Sequence, residues 1–284
     1  MSILFRVLRK TFCLLFALLF WLTGALSSAP AVKEGPLTPE KEFSYPFTDG
    51  AAFCQGITTD GTDFYATGCL KYLNYNAVVK IDAETGEILQ CNDMCLPLSV
   101  MKKGYSHLGD CSYADGKLYA ACEAFLFRDP AVMVFDAETL GFLEYHVLPA
   151  EGQGNGHLPW VCVSGDTLYY TQAREVDEVR MLRLSDFSWL GALPLDRTLT
   201  KISGGAVLGN TLYLASDEGK AEKTTWAVDL STGKTTVGIV RTMGNDFTEA
   251  EGLAIGEMDG NPYFCYLDFI LPARTMIRTY SMQK

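Results

Sequence analysis

Basic charge is scarce in this chain: 23 Lys and Arg stand against 34 Asp and Glu, with 3 His, for a formal net charge of -11. So acidic a surface repels phosphate backbones and anionic lipid, which excludes nucleic acid and peripheral membrane attachment as partners. The cysteines include no C-x-x-C pair, which excludes a structural zinc site of the usual kind. No amphipathic stretch of helical periodicity occurs after residue 31, and beyond the charged, proline-bearing residues 32–42 no segment has linker composition. A helical fold and a second domain are therefore also excluded.

The first thirty-one residues have their own character. Arg6, Arg9 and Lys10 precede an apolar run from Thr11 to Leu26, and Ala29-Pro30-Ala31 supplies small residues suited to a cleavage site. The run is shorter than the ~20 residues that span a bilayer, so it reads as a cleaved export signal rather than an anchor. Cleavage after Ala31 would take the formal charge from -11 to -14 and remove Cys13, leaving eight cysteines of nine. An exported chain permits disulfides. Two pairs suggest themselves: Cys54 with Cys69, opposite each other if 59 pairs with 64, and the local Cys91 and Cys95.

What the remaining sequence does contain is a repeat. A short strand, a turn and a Tyr-centred strand recur five times: Gln55-Gly56-Ile57 to Phe64-Tyr65, Asp110-Cys111-Ser112 to Leu118-Tyr119, Trp160-Val161-Cys162 to Leu168-Tyr169, Gly204-Gly205-Ala206 to Leu212-Tyr213, and Glu251-Gly252-Leu253 to Pro262-Tyr263. The tyrosines lie 54, 50, 44 and 50 residues apart, a period that belongs to propeller blades. A third strand and an Asp-x-x-Thr-Gly turn follow at Asp82 to Gly86, with relatives at Asp136 and Asp229 and a degenerate copy at Asp186. The fifth unit ends after three strands. The alternating segment Phe43 to Thr48, whose proline only an edge strand tolerates, is expected to complete it by pairing with residues 274–282. The fold class predicted is all-β, a single five-bladed β-propeller over residues 43–284 closed by an N-terminal strand, preceded by a signal peptide (1–31) and an exposed leader (32–42).

In a propeller the residues opening the inner strands converge on the axis. These are Gln55, Asp110, Trp160, Gly204 and Glu251, with His107 and His157 each three residues ahead of an opening position and Glu249 and Ser203 alongside. The third histidine, His146, lies in an outer-strand pattern and reads as structural. A hydrated channel rimmed by polar strand ends accounts for such a ring without any function. Two functional readings also fit it. One is a binding pocket for a small ligand, a peptide or a glycan, in which Gln55, His107, His157 and Trp160 bind. The other is a proton-transfer site with Asp110 as acid/base and Glu251 tuning it. No cofactor is required; Asp110, Glu249 and Glu251 with waters offer oxygen ligands for Ca²⁺ in the axial channel.

Phe53-Cys54-Gln55-Gly56-Ile57, then Phe64-Tyr65-Ala66-Thr67-Gly68, then Val79-Lys80-Ile81-Asp82 with Thr85-Gly86, resemble the first blade of the plant- and bacterial-type glutaminyl-peptide cyclotransferases. The resemblance implies an exported five-bladed propeller and an acyl-transfer activity. It sets Leu108-Gly109-Asp110 against the family's Phe-Gly-Glu-Gly-like segment, with Asp110 as the acid, and sets Trp160 near a family tryptophan. The chain departs from the family where Tyr119-Ala120-Ala121-Cys122 replaces a tryptophan-bearing strand, and again between Ile202 and Ser216.

Overall fold

The structure is a computed structural model that describes residues 37–282, apart from 47–48, 50–52, 71–74, 125, 127, 219–220, 244–247 and 271–273, together with 7–8, 10–12 and 14–15. The signal peptide expected at residues 1–31 lies outside the described residues except for 7–8, 10–12 and 14–15, which are helical, and residues 32–36 of the expected leader lie outside them too. No helix among the described residues is long and apolar enough to cross a membrane.

Five antiparallel sheets of four strands form five blades. Blade one runs β2 (Gly56–Thr59), β3 (Asp63–Leu70), β4 (Tyr75–Asp82) and β5 (Ile88–Asn92); blade two runs β6 (Tyr105–Ala114), β7 (Lys117–Ala124), β8 (Arg128–Asp136) and β9 (Phe142–Val147). Blade three comprises β10 (Cys162–Ser164), β11 (Thr167–Tyr170), β12 (Val176–Arg183) and β13 (Trp189–Leu199), and blade four β14 (Ile202–Leu208), β15 (Thr211–Ser216), β16 (Glu222–Asp229) and β17 (Thr235–Thr242). Blade five has β18 (Thr248–Met258), β19 (Asn261–Ile270) and β20 (Arg274–Ser281), and its outer strand is β1 (Lys41–Pro46), supplied from the other end of the chain. The repeat tyrosines all fall on second strands, opposite Thr58, Ser112, Cys162, Ala206 and Gly256 of the first.

The closure expected from the sequence is present, with Phe43 opposite Ile277. It begins two residues earlier than expected, so Lys41 and Glu42, read as leader, belong to β1. Tyr45 donates to the Gly86 carbonyl at 2.7 Å and packs edge-on to Phe53, which fastens β1 to blade one as well as to blade five. An edge that would otherwise invite pairing with another chain is thereby covered.

The tight turns follow from their side chains. Asp82 Oδ1 accepts the Thr85 N–H at 2.7 Å, and Gly86 takes φ of 74°, a conformation that costs glycine little. The degenerate third-blade turn puts Phe187 at φ 55° instead. The hydrophobic core is divided into wedges between neighbouring blades, for example Phe64, Val79 and Ile81 of blade one against Cys265, Leu267 and Ile277 of blade five. Cys54 and Cys69 are cross-strand neighbours in the predicted register, which pairs Thr59 with Phe64, and the Cys54 sulfur lies 4.0 Å from the Cys69 carbonyl.

Candidate functional site

The innermost strands carry irregularities at equivalent places. Register shifts fall between Leu108 and Cys111 of β6, between Ile202 and Gly204 of β14, and between Ala250 and Gly252 of β18. A bulge turns a side chain out of the pleat and re-aims it, and here the bulged residues include Asp110, Ser203 and Glu251. Near the axis the strands approach too closely for side chains: a Cβ on Gly56 would stand 2.3 Å from the Asp110 Cα, and one on Gly205 would strike the Trp160 ring at 2.5 Å.

At one end of the channel a cavity of about 370 Å³ is lined by Gln55, His107 and His157 together with Lys201, Asp217, Glu249 and Glu251, among others. Four of the sequence-derived site residues, Gln55, His107, His157 and Glu251, are thus brought together, drawn from blades one, two, three and five. Asp110 and Trp160 are not among its lining residues, and both are fully buried. The expectation that they line the pocket is corrected for a definite reason. β6 begins at Tyr105, so Asp110 sits well inside the strand, while Trp160 packs on Gly205 and donates its indole N–H to Thr171 at 3.0 Å.

Asp110 has a different task. Its Oδ1 accepts the N–H groups of Ile57 at 2.7 Å and Cys111 at 2.9 Å, and its Oδ2 accepts that of Leu253 at 3.3 Å. Burial raises its carboxyl well above the ordinary carboxylate range, and these donors, with the Gly205 N–H, offset only part of that rise. A shell made of donors suits the carboxylate, which accepts only. Asp110 therefore fastens the inner strands of blades one, two, four and five at the axis. Its oxygens are spent on this, and the trio with Glu249 and Glu251 envisaged for Ca²⁺ does not come together: among the described residues no group of three or more His, Cys, Asp or Glu is placed to hold a metal.

The acid in the pocket is Glu251. Burial, then the neighbouring Glu249 and Asp217, raise its pKa well above the carboxylate range, and a hydrogen bond joins it to Glu249, which is also raised, chiefly by burial. Two neighbouring carboxyl groups disfavour each other's ionisation, which adds to the effect of burial on Glu251. Asp217 is held separately by the buried Lys223 and by the Ala250 N–H at 3.2 Å. A folded pKa above the unfolded one adds stability below the ordinary carboxylate range, and that stability is lost as pH rises through the raised value. Glu251→Gln keeps a neutral hydrogen-bonding group, so its melting temperature should match the wild type near about pH 4 and exceed it increasingly at higher pH. Parallel melting curves at a series of pH values check this, and an unchanged difference across the series contradicts it.

One residue escaped the sequence reading. Glu123, at the register shift between Cys122 and Ala124 of β7, is fully buried behind the pocket. It accepts the Leu158 N–H at 2.5 Å and contacts His107 Nδ1 at 3.1 Å and His157 Nε2 at 3.4 Å. Its trace in the sequence is a single charge in a run of small apolar residues, Tyr119-Ala120-Ala121-Cys122-Glu123-Ala124. His146 stacks on Phe187 at 3.9 Å, away from the axis.

No protein-family model and no curated protein matches the sequence. Solved structures do match the fold. A glutaminyl cyclase from Myxococcus xanthus superposes with a TM-score of 0.61 at 12% identity, covering 86% of this chain and 96% of that one. The RS223 beta-xylosidase gives 0.58 at 12% identity, covering 84% and 94%. A GH43_1 enzyme from Xanthomonas citri, solved with xylose, gives 0.55 at 15% identity, covering 84% and 90%. The resemblance seen in the first blade thus extends to the five-bladed architecture, and at these identities it is a likeness of fold.

Proposed function

We propose that this chain is an exported β-propeller whose axial cavity binds a small hydrophilic molecule, or the end of a peptide or glycan. The observation that carries this reading is the cavity itself: at about 370 Å³ it lies in the size range of small-ligand sites, and polar groups from all five blades converge in it. The apolar run from Thr11 to Leu26 behind three basic residues fits export.

A second reading, an acyl-transfer or hydrolytic enzyme, is favoured by the Glu249–Glu251 pair, in which burial and mutual repulsion raise Glu251 well above the carboxylate range, as a general acid requires. In that reading Glu251 takes the acid role that the sequence suggested for Asp110. The described lining of the cavity contains no Phe, Tyr or Trp, where cyclotransferase chemistry needs an aromatic cage. The test is to incubate the chain beginning at Val32 with Gln-initiated peptides, free amino acids and short oligosaccharides, following ammonia release and amide chemical shifts. Shifts confined to the cavity without turnover support binding, and ammonia release that Glu251→Gln abolishes supports the enzyme. Shifts scattered over the blade edges contradict both.

A further inference from the structure

Three side chains form a line from the interior to the cavity. Fully buried Glu123 faces His107 Nδ1 at 3.1 Å, His107 Nε2 faces Gln55 Oε1 at 3.0 Å, and Gln55 Nε2 donates to the Cys54 carbonyl at 3.2 Å. The Cys54 carbonyl assigns the Gln55 amide, because turning it over would set oxygen against oxygen. Both nitrogens of the His107 ring then meet acceptors, a carboxylate on one side and an amide oxygen on the other, and an imidazole satisfies two acceptors when both nitrogens carry protons. The polarity of the line is set from both ends, by the Glu123 carboxylate and by the Cys54 carbonyl. One Gln55 amide hydrogen goes to the Cys54 carbonyl; the same amide hydrogen-bonds the Cys54 sulfur, a weak acceptor, and Gln55 lines the cavity.

We propose that Glu123 is a positioning residue that acts through His107 to hold the Gln55 amide with its N–H edge toward the cavity, so that this wall selects a ligand presenting an acceptor oxygen, a carbonyl or carboxylate. The selection rests on the reading of the cavity as a ligand site. The clamp on His107 does not, and the experiment separates the two. Long-range ¹⁵N–¹H NMR of the ligand-free wild-type protein at neutral pH is expected to show protons on both ring nitrogens of His107. Acetamide and acetate, as acceptor probes, should shift the Gln55 side-chain amide, whereas methylammonium, a donor, should leave it in place. Gln55→Glu still offers His107 an acceptor and has no amide hydrogen to give. It should keep both His107 protons and lose the cavity shifts caused by acetamide and acetate. Glu123→Gln should remove one His107 proton and weaken both acceptor probes. The wild-type and Gln55→Glu measurements suffice by themselves if Glu123→Gln does not fold. A single proton on wild-type His107 overturns the clamp, and acceptor binding that survives Gln55→Glu overturns the selection. If none of the three probes shifts any cavity resonance, the ligand reading fails and the selection falls with it, whatever His107 shows.

Discussion

Asp110→Ala is expected to unfold the protein or bring it close to unfolding. The substitution strips the acceptor from the N–H groups of Ile57, Cys111 and Leu253 at once, at a fully buried position. A buried backbone donor left without a partner costs about 1–3 kcal/mol, so three of them consume a large part of the ~5–15 kcal/mol that holds a typical domain together. Asp110→Asn is milder: its oxygen can keep Ile57 and Cys111 while its NH₂ confronts the Leu253 N–H, a loss of about 1–3 kcal/mol. Denaturant midpoints of the two variants, measured beside the wild type, check the order. An Asp110→Asn protein with wild-type stability and abolished turnover would return Asp110 to the catalytic role that the cyclotransferase resemblance gave it.

Asp268→Asn should destabilise the ring where its ends meet. Asp268 is fully buried and takes two bonds from Arg241, at 2.8 and 3.1 Å, and one from Arg278 at 3.0 Å, while Arg278 reaches out to Glu42 of β1 at 2.7 Å. The Arg241 guanidinium also lies 3.6 Å over the Tyr266 ring. With the central carboxylate neutralised, two buried guanidinium groups face each other with the half-exposed Glu42 as their remaining carboxylate. Breaking a buried ion pair on one side costs about 3–5 kcal/mol, which for a domain of this size corresponds to a fall in Tm of about 6–20 °C. Hydrogen exchange should show the loss first in β1, whose register on β20 places Glu42 opposite Arg278. Unchanged melting together with unchanged protection of β1 would contradict the role given to Asp268.

Much of the fold was legible because a propeller repeats its local chemistry. The tyrosines, the Asp-to-Gly turns and the missing fourth strand of the last unit each announce themselves within a few residues, and together they fix blade number and closure. The site was legible to the extent that proximity to the axis follows from opening an inner strand: Gln55, His107, His157 and Glu251 were found in this way. Depth along the axis was not legible. Whether a polar residue near the start of an inner strand faces the cavity or the packed interior depends on where that strand begins and where it bulges. Asp110 and Glu251 occupy equivalent places in the repeat, yet one is sealed among backbone donors and the other opens to the cavity. Glu123 was missed for the complementary reason. It lies on a second strand, and a bulge turns it inward toward two histidines from different blades, a relation that no sequence spacing records.

The role of Glu251 as the protonated acid of the cavity is tested most directly by a ¹³C NMR titration of the glutamate side-chain carboxyls, with Glu249→Gln and Glu251→Gln supplying the assignments. Glu251 is expected to stay protonated well above the ordinary carboxylate range, and Glu249→Gln to bring its titration down toward that range, since the neighbouring charge is one cause of the rise after burial. Ordinary carboxylate titration of both residues in the wild type, unmoved by either substitution, would contradict it.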